Sequence, residues 1–479
     1  MSQKRLSEYL SIREQTSSEP VNLNEDEVDW TFKEADMKAH THRFHPYPAR
    51  MVPDAVERLI LIFGEKARNS IGHDNWGIYD PFCGSGTVLA EAKKLGFDSV
   101  GVDINPLAAL LAKVKSTPIR REILISTWKD LKIEIERMWN KKQYSEIENP
   151  EIPRIDFWFK PEVTNKLKVI KKSIWDLNEK DIDETVINFF KVCFSITVRK
   201  TSNNRQGEFK SYRLSKSKLD KWDPDVFKIF EDRVLKNISG MEDYLKVCSK
   251  NGMSQTFLEN SKSFKPPINV GLVVTSPPYG DHKTTVAYGQ YSRYPAYWLG
   301  FPDEDVAKID NKGLGGMPRK EDLDKRNFEK FGSKSLIDTI NKIMEGDELA
   351  NEKKIQREIE KAREEEREPK NVKSDPRVFA VFKFFEEYFD VIRQLYEIML
   401  PGGYVCYVTG NRTVREYRIP THEITKEFSE KVGFKHYKTL IRDIPTKTMP
   451  WENSPTNVSG DTVRTMATEH IIIVYKPKS

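Results

Sequence analysis

Cysteine is scarce in this sequence: four residues in a chain of 479, none close to another. The spacing lacks the paired cysteines of zinc-binding motifs and gives no sign of a disulfide framework. The four are Cys83, Cys193, Cys248 and Cys406. No cluster of other metal-ligating residues appears either, so we expect no metal.

Long apolar runs are also missing. No stretch approaches the roughly 18 apolar residues that a membrane-spanning helix needs. The N-terminal MSQKRLSEYLSIREQ is charged and has no apolar core, unlike a signal peptide. We therefore expect a cytoplasmic protein without a membrane contact.

Neither sign of charge dominates. Charged residues make up 32% of the chain, hydrophobic residues 38%, and the net charge is +5. A slightly basic chain suits a polyanionic partner, but it equally suits an ordinary basic surface. The length allows two or three average domains, or one large domain with insertions.

Strands alternate with helices in WGIYDPFCGSGTVLAEAKKLGFDSVGVDINPLAALLAKVK, which predicts an α/β fold with a parallel sheet. Further strands are predicted at MSQTFLEN, INVGLVVTSPPYG, YVCYVTG, KHYKTLIR and EHIIIVYK. A helix is predicted at VFAVFKFFEEYFDVIRQLYEIML, stopping at Pro401-Gly402-Gly403.

The chain divides into four predicted regions. Residues 1–38 are polar and form an arm, and residues 39–116 form the first half of the α/β domain. Residues 117–250 have helical apolar spacing and are interpreted as an insertion. Residues 251–479 form the second half, with a loop and helix insertion at 281–375. Within it, 281–333 is irregular, and the charged run 351–370 is typical of a solvated helix or mobile segment.

A glycine loop, Asp80-Pro81-Phe82-Cys83-Gly84-Ser85-Gly86-Thr87, joins a predicted strand to a helix. Its glycines permit close backbone approach, and the helix start offers free N–H groups to a carboxylate or phosphate. Asp103 ends the next strand, where an acid can accept hydrogen bonds from ribose hydroxyls. The loop has neither the lysine of a Walker loop nor the GxGxxG pattern of dinucleotide sites. The alternative is a tight turn without a ligand.

A second motif, Ser276-Pro277-Pro278-Tyr279, follows the apolar strand VGLVV. The prolines force the backbone to leave the strand in an extended shape, towards the cleft where α/β sheets bind ligands. The groups of this motif suit one reaction in particular, attack by the exocyclic amine of a nucleic-acid base. Such an amine is a poor nucleophile because its lone pair is delocalised into the ring. Acceptors such as Ser276 Oγ and the Pro277 carbonyl can free that lone pair, while Tyr279 stacks on the base. The alternative is a proline-rich exit from the strand.

At these two motifs the sequence resembles the DNA amino-methyltransferases, the family that makes N4-methylcytosine and N6-methyladenine. DPFCGSGT resembles their cofactor loop and SPPY their catalytic loop. The resemblance implies a Rossmann-like fold with a mixed seven-stranded sheet, in which EHIIIVYK is the antiparallel last strand. It also implies S-adenosyl-L-methionine as cofactor and double-stranded DNA with a flipped target base as partner.

The resemblance also implies roles for particular residues. RFHPYPARMVP resembles the segment that closes over the methionine end of the cofactor; its His42 and His45 can line the cleft or simply pack. Asn260 stands where the family often has an acid near the adenine ring. The implied catalytic residues are Ser276, Pro277, Pro278 and Tyr279. The implied cofactor-binding residues are Asp80, Pro81, Phe82, Cys83, Gly84, Gly86, Thr87, Asp103, Ile104, Asn260, Pro46 and Tyr47.

The first residue of the catalytic loop bears on the target base. It is serine in most cytosine-N4 enzymes of the family and aspartate in most adenine-N6 enzymes, so Ser276 favours cytosine N4, with adenine N6 as the alternative. The resemblance suggests a restriction-modification enzyme, whose cognate nuclease would act separately. An RNA amino-methyltransferase is a further alternative, although such enzymes commonly carry aspartate at this position. A non-catalytic binding subunit is another, although it would be expected to lose one of the two motifs.

A target-reading region must lie inside the chain, because little follows the last strand. The basic run RKTSNNRQGEFKSYRLSKSK in 117–250 is the first candidate, with a basic solvated loop as the alternative. The predicted nucleic-acid contacts are Arg199, Lys200, Asn203, Arg205, Lys210 and Arg213. The second candidate is 281–333, whose aromatic residues either fill the gap left by an extruded base or pack in the core. These are Tyr288, Tyr291, Tyr294, Tyr297 and Trp298.

Overall fold

The structure is a computed structural model that describes most of the chain. The described residues are 24–280, 286, 288–318, 328, 330–374, 376–444, 452–453, 463–464 and 467–478.

A seven-stranded sheet forms the centre of the protein, with strand order 3-2-1-4-5-7-6. Strands β1 to β5 pair in parallel, and β7 runs antiparallel to both β5 and β6. The predicted Rossmann-like α/β fold with a mixed seven-stranded sheet is confirmed. The strands are β1 Gly77–Asp80, β2 Ser99–Asp103, β3 Ser254–Leu258, β4 Val270–Thr275, β5 Met399–Gly410, β6 Lys435–Asp443 and β7 Thr468–Tyr475.

Helices surround the sheet, and none of those described is both long and apolar enough to span a membrane. Those in the first part of the chain are α1 Pro53–Ile71, α2 Thr87–Lys94, α3 Pro106–Lys115, α4 Arg121–Asn140, α5 Ile155–Trp158, α6 Pro161–Trp175, α7 Glu184–Thr201, α8 Lys216–Asp220 and α9 Val226–Val247. Those in the second part are α10 Tyr288–Leu299, α11 Asp303–Val306, α12 Ile309–Lys312, α13 Lys334–Glu364, α14 Val378–Ile398 and α15 Thr421–Val432.

Shorter elements complete the described structure. Single 3₁₀ turns lie at His40–Arg43, Gln143–Ser145 and Asp176–Lys180. Two small strand pairs join Thr413–Val414 to Tyr417–Arg418 and Glu452–Asn453 to Val463–Arg464.

Both faces of the sheet are covered, so the central strands are apolar on both sides. Successive side chains in a strand point to opposite faces. In β4, Leu272 and Val274 pack with α1, whereas Val273 packs with α14 on the other face. This double burial explains why these strands read as continuous apolar runs rather than alternating ones.

A helical layer built from α4, α6, α7 and α9 lies between β2 and β3 in the chain and has its own apolar core. Helix α7 is at its centre, and Phe189, Phe190 and Phe194 are fully buried there. Because β3 pairs with β2 directly, this layer adds no strand to the sheet. The division of the chain into four regions remains a prediction that this arrangement supports.

The segment 281–333 was predicted to be irregular, and this expectation is wrong for its described part, which contains α10, α11 and α12. Helix α10 forms despite Pro295 inside it because an aromatic stripe is buried along one side. Tyr291, Tyr294 and Trp298 recur at helical spacing and are buried, so the packing interpretation holds for them. Tyr297 is also buried.

One other boundary differs from expectation. Helix α14 ends at Ile398 rather than at Pro401-Gly402-Gly403, since residues from Met399 onwards already belong to β5. The described part of the predicted arm is packed on the sheet: Trp30 is buried, and its carbonyl accepts a hydrogen bond from Arg442 in β6. The charged run 351–370 is a solvated helix as far as Glu364.

Candidate active site

The two sequence motifs lie at one edge of the sheet. Strands β1 and β4 are parallel neighbours, so the loops that follow them emerge side by side. Between the loops lies an open cleft, with about 870 Å³ of empty space when the adjoining solvent is included. Residues of both motifs line it, including Gly84 on one side and Ser276 on the other.

A direct hydrogen bond joins the two strand ends beneath the cleft. The Thr275 hydroxyl donates to Asp80 Oδ1 over 2.7 Å, and the Phe82 N–H donates to the same oxygen over 3.1 Å. Asp80 and Thr275 are both fully buried. Burial raises the pKa of Asp80 to about 7, against the lowering effect of these two hydrogen bonds. Asp80 thus fixes the spacing of the two loops from below and does not line the cleft.

The turn of the glycine loop is organised by Asp103 at the end of β2. Gly84 has a positive φ of 48°, and its N–H donates to Asp103 Oδ2 over 3.0 Å. The Asn105 N–H donates to the other oxygen over 2.8 Å. Burial raises the pKa of Asp103 to about 6, although these backbone hydrogen bonds lower it. Asp103 lines the cleft and presents a carboxylate to any ligand there.

Gly86 has a packing role that the sequence did not suggest. It also has a positive φ, 78°, and a Cβ here would lie 2.5 Å from Ala112 Cα in helix α3. The glycine therefore allows the loop to sit against α3, and it does not line the cleft.

The segment before α1 closes one wall of the cleft. Tyr47, Arg50 and Met51 line it, and Arg50 Nη1 donates to the His42 carbonyl over 2.6 Å. Pro46 lies just outside, with its carbonyl accepting a hydrogen bond from the Tyr291 hydroxyl.

His42 and His45 are buried and do not line the cleft. His42 Nε2 lies 2.7 Å from Glu91 Oε1, and burial lowers the pKa of His42 to about 4. Of the two interpretations of these histidines, polar packing is the one that the structure supports.

Nine of the twelve predicted cofactor residues line the cleft, namely Tyr47, Pro81, Phe82, Cys83, Gly84, Thr87, Asp103, Ile104 and Asn260. Asp80, Gly86 and Pro46 lie behind or beside it. Further lining residues belong to segments that the sequence analysis marked without singling them out, namely Pro48, Ala49, Arg50, Met51, Ser85 and Glu259, while Tyr288 was marked for a different role. Sequence reasoning missed Asn105, Ser261, Ile309, Lys312, Gly313 and Leu314. Asn105 and Ser261 are chain neighbours of predicted residues, but the four residues from 309–314 carry no local signal.

The catalytic-loop motif is divided between two cavities. Ser276 and Pro278 line the cleft, whereas Tyr279 borders a second, much smaller cavity together with Phe384 and Phe385. The Ser276 hydroxyl donates to the Tyr279 hydroxyl over 3.4 Å. The loop therefore forms the partition between the cleft and this second cavity. Pro277 is buried within the partition.

An ion pair that the sequence did not reveal holds Tyr279 in place. The Tyr279 hydroxyl donates to Glu469 Oε1 over 2.8 Å, and Arg442 donates to Glu469 Oε2 over 2.7 Å. Glu469 is in β7, 190 residues from Tyr279 along the chain, and Arg442 is in β6. The last two strands thus support the catalytic-loop motif from behind.

The predicted nucleic-acid contacts fall into two groups. Arg199 and Asn203 are buried; Arg199 donates to the Tyr291 carbonyl and Asn203 to the Phe157 carbonyl. Arg213 also donates to the Phe157 carbonyl. We correct the predicted role of Arg199 and Asn203, because these buried side chains are engaged inside the protein, whereas Arg213 is half-buried. Arg205 and Lys210 are exposed, and Lys200 is half-buried.

Comparison with known families gives two matches. Residues 3–114 match a family described as DNA methylase. Residues 69–294 match the D12 class N6 adenine-specific DNA methyltransferases, a range that includes both loops of the cleft.

Two type II methyltransferases match most of the length of this chain. The type II methyltransferase M.MvaI of Kocuria varians is 34% identical over 482 residues, covering 98% of each chain. The type II methyltransferase M.BsoBI of Geobacillus stearothermophilus is 23% identical and covers 85% of this chain and 81% of its own. An rRNA methyltransferase structure from Streptomyces viridochromogenes aligns over 90% of this chain and 88% of its own, with 8% identity and a TM-score of 0.27.

The Thr275–Asp80 hydrogen bond generates a prediction. Thr275→Val keeps the shape of the side chain but removes a buried donor, leaving Asp80 less well satisfied. We expect it to lower the free energy of unfolding by about 1–3 kcal/mol, measured by urea denaturation.

Thr409→Val is the matched control. Thr409 is fully buried in the neighbouring strand β5, and its hydroxyl has no hydrogen-bond partner among the described residues. Its replacement should be neutral or stabilising. Equal destabilisation by both variants would show that the Thr275 hydroxyl contributes nothing specific.

Proposed function

Since this chain belongs to the type II DNA methyltransferases of the amino-methylating family, we propose that it methylates the N4 amino group of cytosine in double-stranded DNA. The observation that carries the proposal is the shared cleft, into which the glycine loop and Ser276 both project. A methyl donor and an amino acceptor can meet only if one cavity admits both. The serine at position 276 supports cytosine as the base.

Methyltransferases of this kind use S-adenosylmethionine, which supplies an electrophilic methyl group on a sulfonium centre. The cleft residues suit such a molecule. Asp103 offers carboxylate oxygens to ribose hydroxyls, and Arg50 offers a cation to the carboxylate of the methionine part. Pro81, Phe82 and Ile104 add apolar surface for the rest.

Ser276 is proposed to act on the amine rather than on the donor. Its oxygen can accept a hydrogen bond from the amino group, which localises the nitrogen lone pair for in-line attack. A neutral serine does not remove a proton from the amine in water, so its role is positioning. The extra proton on the methylated nitrogen then leaves to solvent, and no covalent intermediate with the protein is needed.

Adenine N6 is the second candidate, and the match of residues 69–294 to adenine-specific enzymes favours it. Against it stands Ser276 at the position where the adenine enzymes commonly have aspartate. The two candidates share the cleft, the cofactor and the DNA substrate, and they differ only in the base.

Mass spectrometry of nucleosides separates the two candidates. The chain is expressed in a bacterial host without its own DNA methyltransferases, and the DNA and RNA are digested separately. We expect N4-methyldeoxycytidine in the DNA, and none when the host carries the Ser276→Ala chain. N6-methyldeoxyadenosine instead would establish the second candidate. Methylated nucleosides in RNA alone would reject a DNA substrate.

Ser276→Ala tests the role of the hydroxyl. We expect kcat to fall by about a hundredfold, as for loss of one hydrogen bond that supports the transition state. The dissociation constant for S-adenosylmethionine, measured by calorimetry, should stay within about twofold. Ser261→Ala is the control, because Ser261 lines the same cleft near Asn260; it should change KM at most. Near-full turnover by Ser276→Ala would contradict the positioning role proposed for the Ser276 hydroxyl.

The raised pKa of Asp103 predicts how the affinity for the cofactor depends on pH. Its pKa is raised to about 6, and ribose hydroxyls donate to the ionised form. Affinity should therefore be constant above pH 6 and fall by up to about tenfold per pH unit below it. Calorimetry between pH 5 and 8 measures this, with Asp103→Asn expected to bind weakly at every pH. A wild-type affinity that does not change across this range would contradict ribose binding by the carboxylate.

A further inference from the structure

A small hairpin projects from the helical layer between α7 and α8. It comprises residues 203–214, here called the basic hairpin. The Arg205 N–H donates to the Tyr212 carbonyl over 2.7 Å, and the Leu214 N–H donates to the Asn203 carbonyl over 2.9 Å. These bonds define two short antiparallel arms with a turn between them.

Positive charge is concentrated on and around this hairpin. Residues 199–222 contain eight lysines and arginines against two acidic residues, a net charge of +6. The whole chain has a net charge of only +5, so the rest of the protein is close to neutral. The exposed cations of this stretch are Arg205, Lys210, Lys216, Lys218 and Lys221. Such a local excess complements a phosphate backbone.

Aromatic side chains on the hairpin are exposed. Phe209 is 44% exposed and Tyr212 is 47% exposed. Among the described residues, the only other aromatic side chain with comparable exposure is Tyr437, whose hydroxyl donates a hydrogen bond to Glu25. Exposed aromatic rings that lie between cations offer a flat apolar surface, which nucleic-acid bases and sugars can contact.

Internal contacts hold the base of the hairpin rigidly. The Asn203 N–H donates to the Trp158 carbonyl over 2.7 Å, and the Arg213 guanidinium lies 4.1 Å from the Phe157 ring centre. In the turn between the arms, the Glu208 carbonyl accepts a hydrogen bond from the buried Arg199. The tip is thus presented from a fixed base, and the interior residues of the predicted set serve as its anchors.

The hairpin is also tied to the wall of the cleft. The Ser211 hydroxyl donates to the Gln290 carbonyl over 3.1 Å, and the ring centres of Phe209 and Tyr291 lie 5.6 Å apart. Gln290 and Tyr291 belong to the first turn of α10, which begins at Tyr288, a residue lining the cleft. Less than one helical turn therefore separates the hairpin contact from the candidate active site.

We propose that the basic hairpin is the element that holds duplex DNA beside the target base. Arg205 and Lys210 contact phosphates, and the rings of Phe209 and Tyr212 contact bases or sugars. Arg199, Asn203 and Arg213 are positioning residues that fix the hairpin to α10 and the helical layer. This assignment rests on the proposed function, from which the DNA substrate is taken. It adds which part of the protein binds that DNA.

Binding measurements on full-length variants test the assignment. The probe is a fluorescent DNA duplex of arbitrary sequence, and a second duplex contains the methylated site where sequencing finds one. Binding is followed by fluorescence anisotropy at several salt concentrations. We expect Phe209→Ala and Tyr212→Ala each to raise Kd by about tenfold. Lys210→Ala should reduce the slope of log Kd against log salt by about one, since one phosphate contact is lost.

Matched controls lie on the exposed helix α13, which packs against α14 and α15 in the other half of the protein. Leu349→Ala removes an apolar side chain that is even more exposed, at 58%, and Lys353→Ala removes an exposed lysine. Both should leave Kd and the salt slope within about twofold of wild type. Calorimetry with S-adenosylmethionine confirms that every variant keeps a folded cofactor cleft.

The outcomes separate this assignment from the proposed function. Wild-type affinity in all three hairpin variants, with DNA still methylated, would overturn the hairpin assignment alone. Hairpin-dependent binding by a chain that methylates no DNA would reject the proposed function and keep the hairpin. Tighter hairpin-dependent binding of structured RNA than of the duplex would overturn the choice of partner.

Discussion

The geometry of the candidate active site depends on one buried hydrogen bond, from Thr275 to Asp80. It joins the last residues of two adjacent parallel strands, and each strand continues into one of the two functional loops. Because both residues are fully buried, neither loop can shift without breaking a bond that water cannot replace. Residues of both loops are thereby kept at one cleft, as the proposed function requires.

The rest of the protein supports this arrangement from two directions. Strands β6 and β7 supply Arg442 and Glu469, which hold the Tyr279 hydroxyl behind the catalytic loop. On the other side, α10 packs against the segment that contains Tyr47 and also holds the basic hairpin. The cleft therefore lies between a rigid sheet edge and a helical layer that carries the proposed DNA contact.

Motifs that depend on a few adjacent residues were predicted well. The glycine loop, Asp103 and Ser276 were placed at strand ends by local pattern, and the structure gathers them around one cleft. Long-range partners were not predictable. Glu469 lies 190 residues from Tyr279 in the chain, and no local pattern marks an acid that accepts a tyrosine hydroxyl. Charge alone was also misleading for Arg199, which is basic but buried.

The sequence by itself determined the α/β class, the two loops and the chemistry that their residues allow, because backbone turns and strand periodicity are local properties. Only the tertiary structure decided which members of each motif line the cleft and which brace it from behind. The same applies to the basic run, where packing against Phe157 and Tyr291 separates anchors from exposed residues. Burial is a collective property of chain segments far apart in sequence, so no single segment encodes it.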